Sequence, residues 1–99
     1  MDILDVSQLE ASLSESRAPA GLPPLVEALW HERRGDWTRA HEITQDLSGA
    51  DAAWVHAYLH RREGDLANAA YWYRHASRPV VRGSLDEEWR AIVAALLKT

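Results

Sequence analysis

The chain is expected to fold as an all-α protein of about six helices: two helix-turn-helix repeats of 29-residue period, with a capping helix at each end. Two observations predict this. HERRGDW at 31–37 is matched by HRREGDL at 60–66, and His31/His60, Gly35/Gly64, Ala40/Ala69 and Val26/Val55 share one offset of 29. Ala28/Ala57, Arg33/Arg62 and Asp36/Asp65 fall in the same frame, and a fixed period of roughly 20 to 50 residues marks stacked helical arrays. Between the matched stretches, apolar residues recur at helical spacing and do not alternate as they would in a strand.

The elements follow in order. From about Asp2 to Ser16, Val6, Leu9 and Leu13 lie at helical spacing, giving the first cap; APAGLPP then breaks the chain. The first hairpin runs from about Pro24, a favourable opening proline, to Arg34, and from Trp37 to about Leu47. The second runs from about Ala50 to Glu63 and from Leu66 to about Ser77. At each Gly-Asp, glycine takes the left-handed conformation that ends one helix, and the aspartate caps the free N–H groups of the next. Trp37, Ala40, Ile43, Thr44 and Leu47 form one face, as do Leu66, Ala69, Ala70, Tyr73 and Ala76. Ala40 and Ala69 are small enough for a close helix crossing. Helix 50–63 carries Trp54, Val55, Tyr58 and Leu59 on one side and Ala53 and Ala57 on the other, which predicts the most buried helix. The last cap begins at the capping-box pattern Ser84-x-x-Glu87 and aligns Leu85, Trp89, Ile92, Val93 and Leu96.

A chain of 99 residues supports one compact domain, residues 1–99. It has no cysteine, which removes disulfides, thiolate metal sites and a cysteine nucleophile. The net charge of −4 argues against nucleic-acid binding. No secretory pattern opens the sequence, and no apolar run approaches the roughly 20 residues of a membrane span, so a soluble cytoplasmic protein is expected. Five Trp and three Tyr with no Phe favour half-polar surfaces over dry cores.

The units resemble tetratricopeptide-type repeats in three features: the small residue seven before the glycine (Ala28, Ala57), the Gly-Asp turn, and the alanine five after it (Ala40, Ala69). AAYWYRHA at 69–76 is similar to the A-x-x-W-Y signature of Sel-like repeats. The period departs from the family's usual length of about 34 residues, and Glu27, His31, His56 and His60 stand where the family prefers apolar residues. The resemblance implies a scaffold that binds other proteins, with Leu25, Leu29, Glu32 and Arg33, then Trp54, Tyr58, Arg61 and Arg62, lining its groove. Trp54, Tyr58 and Arg61 share a stripe at i, i+4 and i+7 with Arg62 beside them. Aromatic area and guanidinium forks together suit an acidic or C-terminal peptide. The expected peptide-binding residues are therefore Leu25, Leu29, Arg33, Trp54, Tyr58, Arg61 and Arg62.

A second reading is a metal- or small-ligand-binding protein in which Glu27, His31, His56 and His60 come together across the first helices of the two units, a cluster that could also serve an enzyme through an acid–base histidine. Nothing else points to catalysis: the serines sit in the N-terminal segment, before helix starts or beside turns, and the glycines are scattered singly. The chain is read as a non-enzymatic interaction module without a cofactor, with a protein or peptide partner.

Overall fold

The computed structural model describes residues 5–98. Among them there is no strand, and six α-helices follow one another: α1 (Val6–Ala11), α2 (Pro24–Arg33), α3 (Trp37–Gln45), α4 (Ala50–Glu63), α5 (Leu66–His75) and α6 (Leu85–Leu97), with a 3-10 turn at Ser12–Ser14. Helices α2 and α3 form one antiparallel hairpin and α4 and α5 another, with α3 lying against α4.

The two hairpin turns are built alike. Gly35 and Gly64 have φ of 90° and 91°, the left-handed region where only glycine is unstrained. The Asp36 N–H reaches back to the His31 carbonyl and the Asp65 N–H to the His60 carbonyl, each at 2.9 Å, closing the last turn of the preceding helix in a Schellman-type bond. Each aspartate then caps the next helix: Asp36 accepts from the Arg39 N–H at 3.0 Å and Asp65 from the Asn68 N–H at 3.3 Å. Asp36→Ala and Asp65→Ala are each expected to cost about 1 kcal/mol in urea unfolding; a loss confined to one variant would show the two caps to be unequal.

Several boundaries differ from expectation. Asp2, where the first cap was expected to begin, lies outside the described residues. The helix starts after Asp5, which makes a reciprocal capping box with Gln8, and passes after Ala11 into the 3-10 turn Ser12–Ser14, where the Ser12 hydroxyl donates to the Leu9 carbonyl at 2.6 Å. Helices α3 and α5 end at Gln45 and His75, two residues short of expectation, and Ser77 takes a left-handed φ of 57°. Leu47 and Leu66, expected on buried faces, sit at helix ends where the chain leaves the core; Leu66 is 66% exposed.

The larger departure concerns α6. As a cap it was expected to close an end of the stack, yet it lies across α2 and α4 and reaches α1. Its stripe of Trp89, Ile92, Val93 and Leu96 joins Val26, Leu29, Val55, Tyr58 and Leu59 in a single core, so the two first helices are sandwiched between α6 and the second helices. No helix among the described residues is long and apolar enough to cross a membrane.

Candidate functional site

The aromatic and arginine stripe expected to bind a peptide faces α6. Leu29, Trp54 and Tyr58 are buried, Leu25, Arg33 and Arg61 are partly covered, and Arg62 is exposed. The stripe is therefore not an open surface, because Trp54 and Tyr58 bring polar atoms inside and two buried carboxylates satisfy them. Glu88, 4% exposed on α6, accepts from the Trp54 indole N–H at 3.2 Å and the Tyr73 hydroxyl at 2.6 Å with one oxygen. Its other oxygen pairs with Arg61 at 2.8 Å, and Arg61 also donates to the Gly83 carbonyl. Glu32, 5% exposed on α2, accepts from the Tyr58 hydroxyl at 2.9 Å and faces Arg62 at 3.4 Å.

Two further contacts seat α6. The Trp89 indole donates to the Leu29 carbonyl at 3.0 Å, and Arg33 pairs with Asp86 at 2.7 Å while lying over the Trp89 ring. Arg78, in the connection from α5, covers Trp54 at 3.4 Å from the ring centroid. Burial pushes the Glu32 carboxyl up against the lowering effect of the Tyr58 hydrogen bond and the Arg62 and Arg33 charges. Burial and the adjacent carboxylates hold the Tyr58 and Tyr73 phenols well above their usual range, so both remain hydrogen-bond donors. Glu88 was not anticipated as a buried group, although its place one turn before Ile92 on the apolar stripe signals it.

The histidines separate into two places. Glu27 and His31 pair with each other along α2, 3.3 Å apart, beside a cavity of about 550 Å³ formed with the 16–22 segment, Trp30 and Arg34. They are not within ligand distance of His56 and His60, so the expected convergence of Glu27, His31, His56 and His60 does not occur. His56 and His60, one turn apart on α4, are met by His41 of α3, and one ring nitrogen from each lies within 4.8 Å of the others. Sequence reasoning missed His41 because the matching place in the second unit is Ala70. Its signal is the spacing from Trp37, one turn earlier on the same helix face. Trp37 stacks on His41 with ring centroids 4.9 Å apart, and its own N–H is fixed on the Leu59 carbonyl at 2.7 Å. Trp72 stacks on His56 at 4.0 Å, and Glu63 holds His60 Nδ1 at 2.7 Å. Next to the cluster, at the start of α4, His56 and Trp72 line a cavity of about 390 Å³ with His75, Ser48 and Ala52.

Burial, followed by the charges of His41 and His60, lowers His56 to about 4. His41 is lowered by burial and by His60, against the opposing pull of Glu63. Above about pH 6.5 His56 is neutral folded or unfolded and adds no pH dependence. Between about pH 6.5 and 4 the unfolded chain takes up a proton that the folded chain refuses, so stability falls with falling pH, by on the order of 2 to 3 kcal/mol for this group. Urea titrations in chelator-containing buffer from pH 7.5 to 4 measure the loss, and His56→Gln is expected to flatten that part of the profile. In comparisons with known proteins, the chain matches no family model, and no curated protein or solved structure is significantly similar to it.

Proposed function

We propose that the protein is an interaction module of the helix-in-groove kind. Its α2–α4 groove recognises an amphipathic helix with an acidic first turn followed by a tryptophan, and its own α6 fills that groove in cis. One observation carries the reading: the aromatic and guanidinium side chains suited to an acidic peptide are spent on α6, whose first turn is Asp86, Glu87 and Glu88. Arg33–Asp86, Arg61–Glu88 and the Trp89 anchor on Leu29 are the contacts such a ligand would make. Charge complementarity and a central aromatic anchor are how helical ligands are selected from solution. The partner is accordingly another protein presenting this pattern, and it enters when α6 lifts.

A fluorescent peptide of residues 84–98 titrated with the full chain tests the idea. Ile92→Ala weakens the chain's own helix by about 2 kcal/mol, which raises the groove's availability and is expected to tighten peptide binding by about 30-fold over the wild type. Circular dichroism verifies that the variant stays folded. Absence of binding to both chains, or equal affinity for both, sinks the reading. Arg61→Glu is unsuitable as a probe, because it sets a second carboxylate beside buried Glu88 and attacks the fold itself.

A further inference from the structure

We propose that His41, His56 and His60 form a binding site for a divalent transition-metal ion, separate from the groove under α6.

The backbone brings the imidazoles together. His56 and His60 are four apart on the longest helix, so their side chains rise from the same face of α4, one turn from each other. His41 enters from α3, the neighbouring helix of the other hairpin. The ring centroids stand 5.0 Å (His41–His56), 5.4 Å (His41–His60) and 5.7 Å (His56–His60) apart. Three imidazole nitrogens around a tetrahedral zinc, each about 2.0 to 2.1 Å from the metal, lie about 3.4 Å from one another. The nitrogens here are within 4.8 Å of one another, so a closing of at most about 1.4 Å would bring them to that spacing.

What surrounds the three rings resembles the outer layer of a metal site more than the lining of a polar interface. The Glu63 carboxylate can only accept from His60 Nδ1, which therefore carries the proton and leaves the Nε2 lone pair free. A carboxylate behind a ligating imidazole fixes its tautomer and orientation in this way. Trp37 and Trp72 lie nearly parallel to His41 and His56, with interplanar angles of 8° and 13°, and so hold those two rings in place with apolar walls. Neither His41 nor His56 has a hydrogen-bond partner among the described residues, although His56 is only 6% exposed. No fully buried side-chain nitrogen lacks a partner among the described residues, so the ring nitrogens of His41 and His56 that no protein group occupies reach solvent and are open to an incoming cation. A second grouping, His60 with Glu63 and Asp65, is weaker, since Glu63 is engaged with His60 and Asp65 is committed to capping α5.

Three neutral nitrogen donors with no thiolate suit zinc, nickel or copper(II), and disfavour calcium and magnesium, which take oxygen ligands. Such a set leaves a fourth position for water or an added ligand. Because the ligands come from both hairpins, the ion also ties α3 to α4.

Cobalt(II) serves as the spectroscopic probe, added to the full chain after chelator treatment and then competed with zinc. One equivalent is expected to bind with the intense visible absorption of a four-coordinate site. At free zinc about 100 times the dissociation constant, the folded state should gain about 2.7 kcal/mol in thermal unfolding. His41→Ala, at a half-buried position, is expected to weaken binding at least about 100-fold with the helical spectrum intact, and Glu63→Gln by about 10-fold. His31→Ala, on α2 beside Glu27, should change nothing. The proposal is overturned if the wild type shows no saturable binding of cobalt or zinc below about 100 µM. It is equally overturned if His41→Ala binds as well as the wild type, or if binding is lost in His31→Ala.

Discussion

Glu88→Ala is expected to destabilise the protein by about 3 to 5 kcal/mol, because it leaves the buried Trp54 and Tyr73 donors without their acceptor and removes the ion pair of the mostly covered Arg61, which keeps the Gly83 carbonyl. The carboxylate receives Trp54, Tyr73 and Arg61 at once. These groups come from α4 and α5, while Glu88 belongs to α6, so its loss breaks a junction of three helices. Domains of this size are stable by about 5 to 15 kcal/mol, and the variant would forfeit a large part of that. Urea unfolding followed by tryptophan fluorescence reads the difference directly. Glu88→Gln keeps an acceptor for Tyr73 or Trp54 but turns an amide toward Arg61, and its loss should be smaller. A cost under about 1 kcal/mol for the alanine variant would mean that water readily replaces the carboxylate.

Trp89→Ala is expected to cost a similar 3 to 5 kcal/mol, about the usual range for emptying a large aromatic from a core. Trp89 is among the largest fully buried side chains, bonds to the Leu29 carbonyl and lies beneath Arg33. Trp89→Phe retains much of the volume without the indole N–H, and an intermediate loss separates packing from hydrogen bonding. If alanine costs less than about 1 kcal/mol, α6 is not seated as described. Since Glu88 and Trp89 are adjacent and serve one docking event, the double variant should lose less than the sum of the two.

How far the fold can be read from the sequence depends on the range of the interactions. The hairpins are legible because glycine conformation, aspartate capping and apolar spacing act within a few residues, and α4 falls on the expected stretch from about Ala50 to Glu63. The ends of α3 and α5 are not, since the Leu47 N–H turns back to the Thr44 carbonyl and the Arg78 N–H, across left-handed Ser77, to the Tyr73 carbonyl, closing these helices before the apolar pattern ends. The stripe of Trp54, Tyr58 and Arg61 was correctly grouped, but an amphipathic face does not say what covers it. Only the three-dimensional arrangement reveals that Glu88, 34 residues from Trp54, is the partner. The histidines repeat the lesson: His56 and His60 were visible as an i, i+4 pair, whereas His41 joins them through the packing of α3 on α4, which no single-helix pattern encodes.

The seating of α6 also sets the order in which the molecule assembles. Each hairpin closes through contacts within about thirty residues, on the microsecond scale of local helix formation. The bonds that hold α6 bridge far longer stretches: 60 residues from Trp89 to Leu29, 53 from Asp86 to Arg33 and 80 from Arg90 to Glu10. Contacts of such sequence separation slow folding, because the loop entropy is lost before they form. Docking of α6 across α2 and α4 is therefore the step that completes the core, after each hairpin has closed on itself.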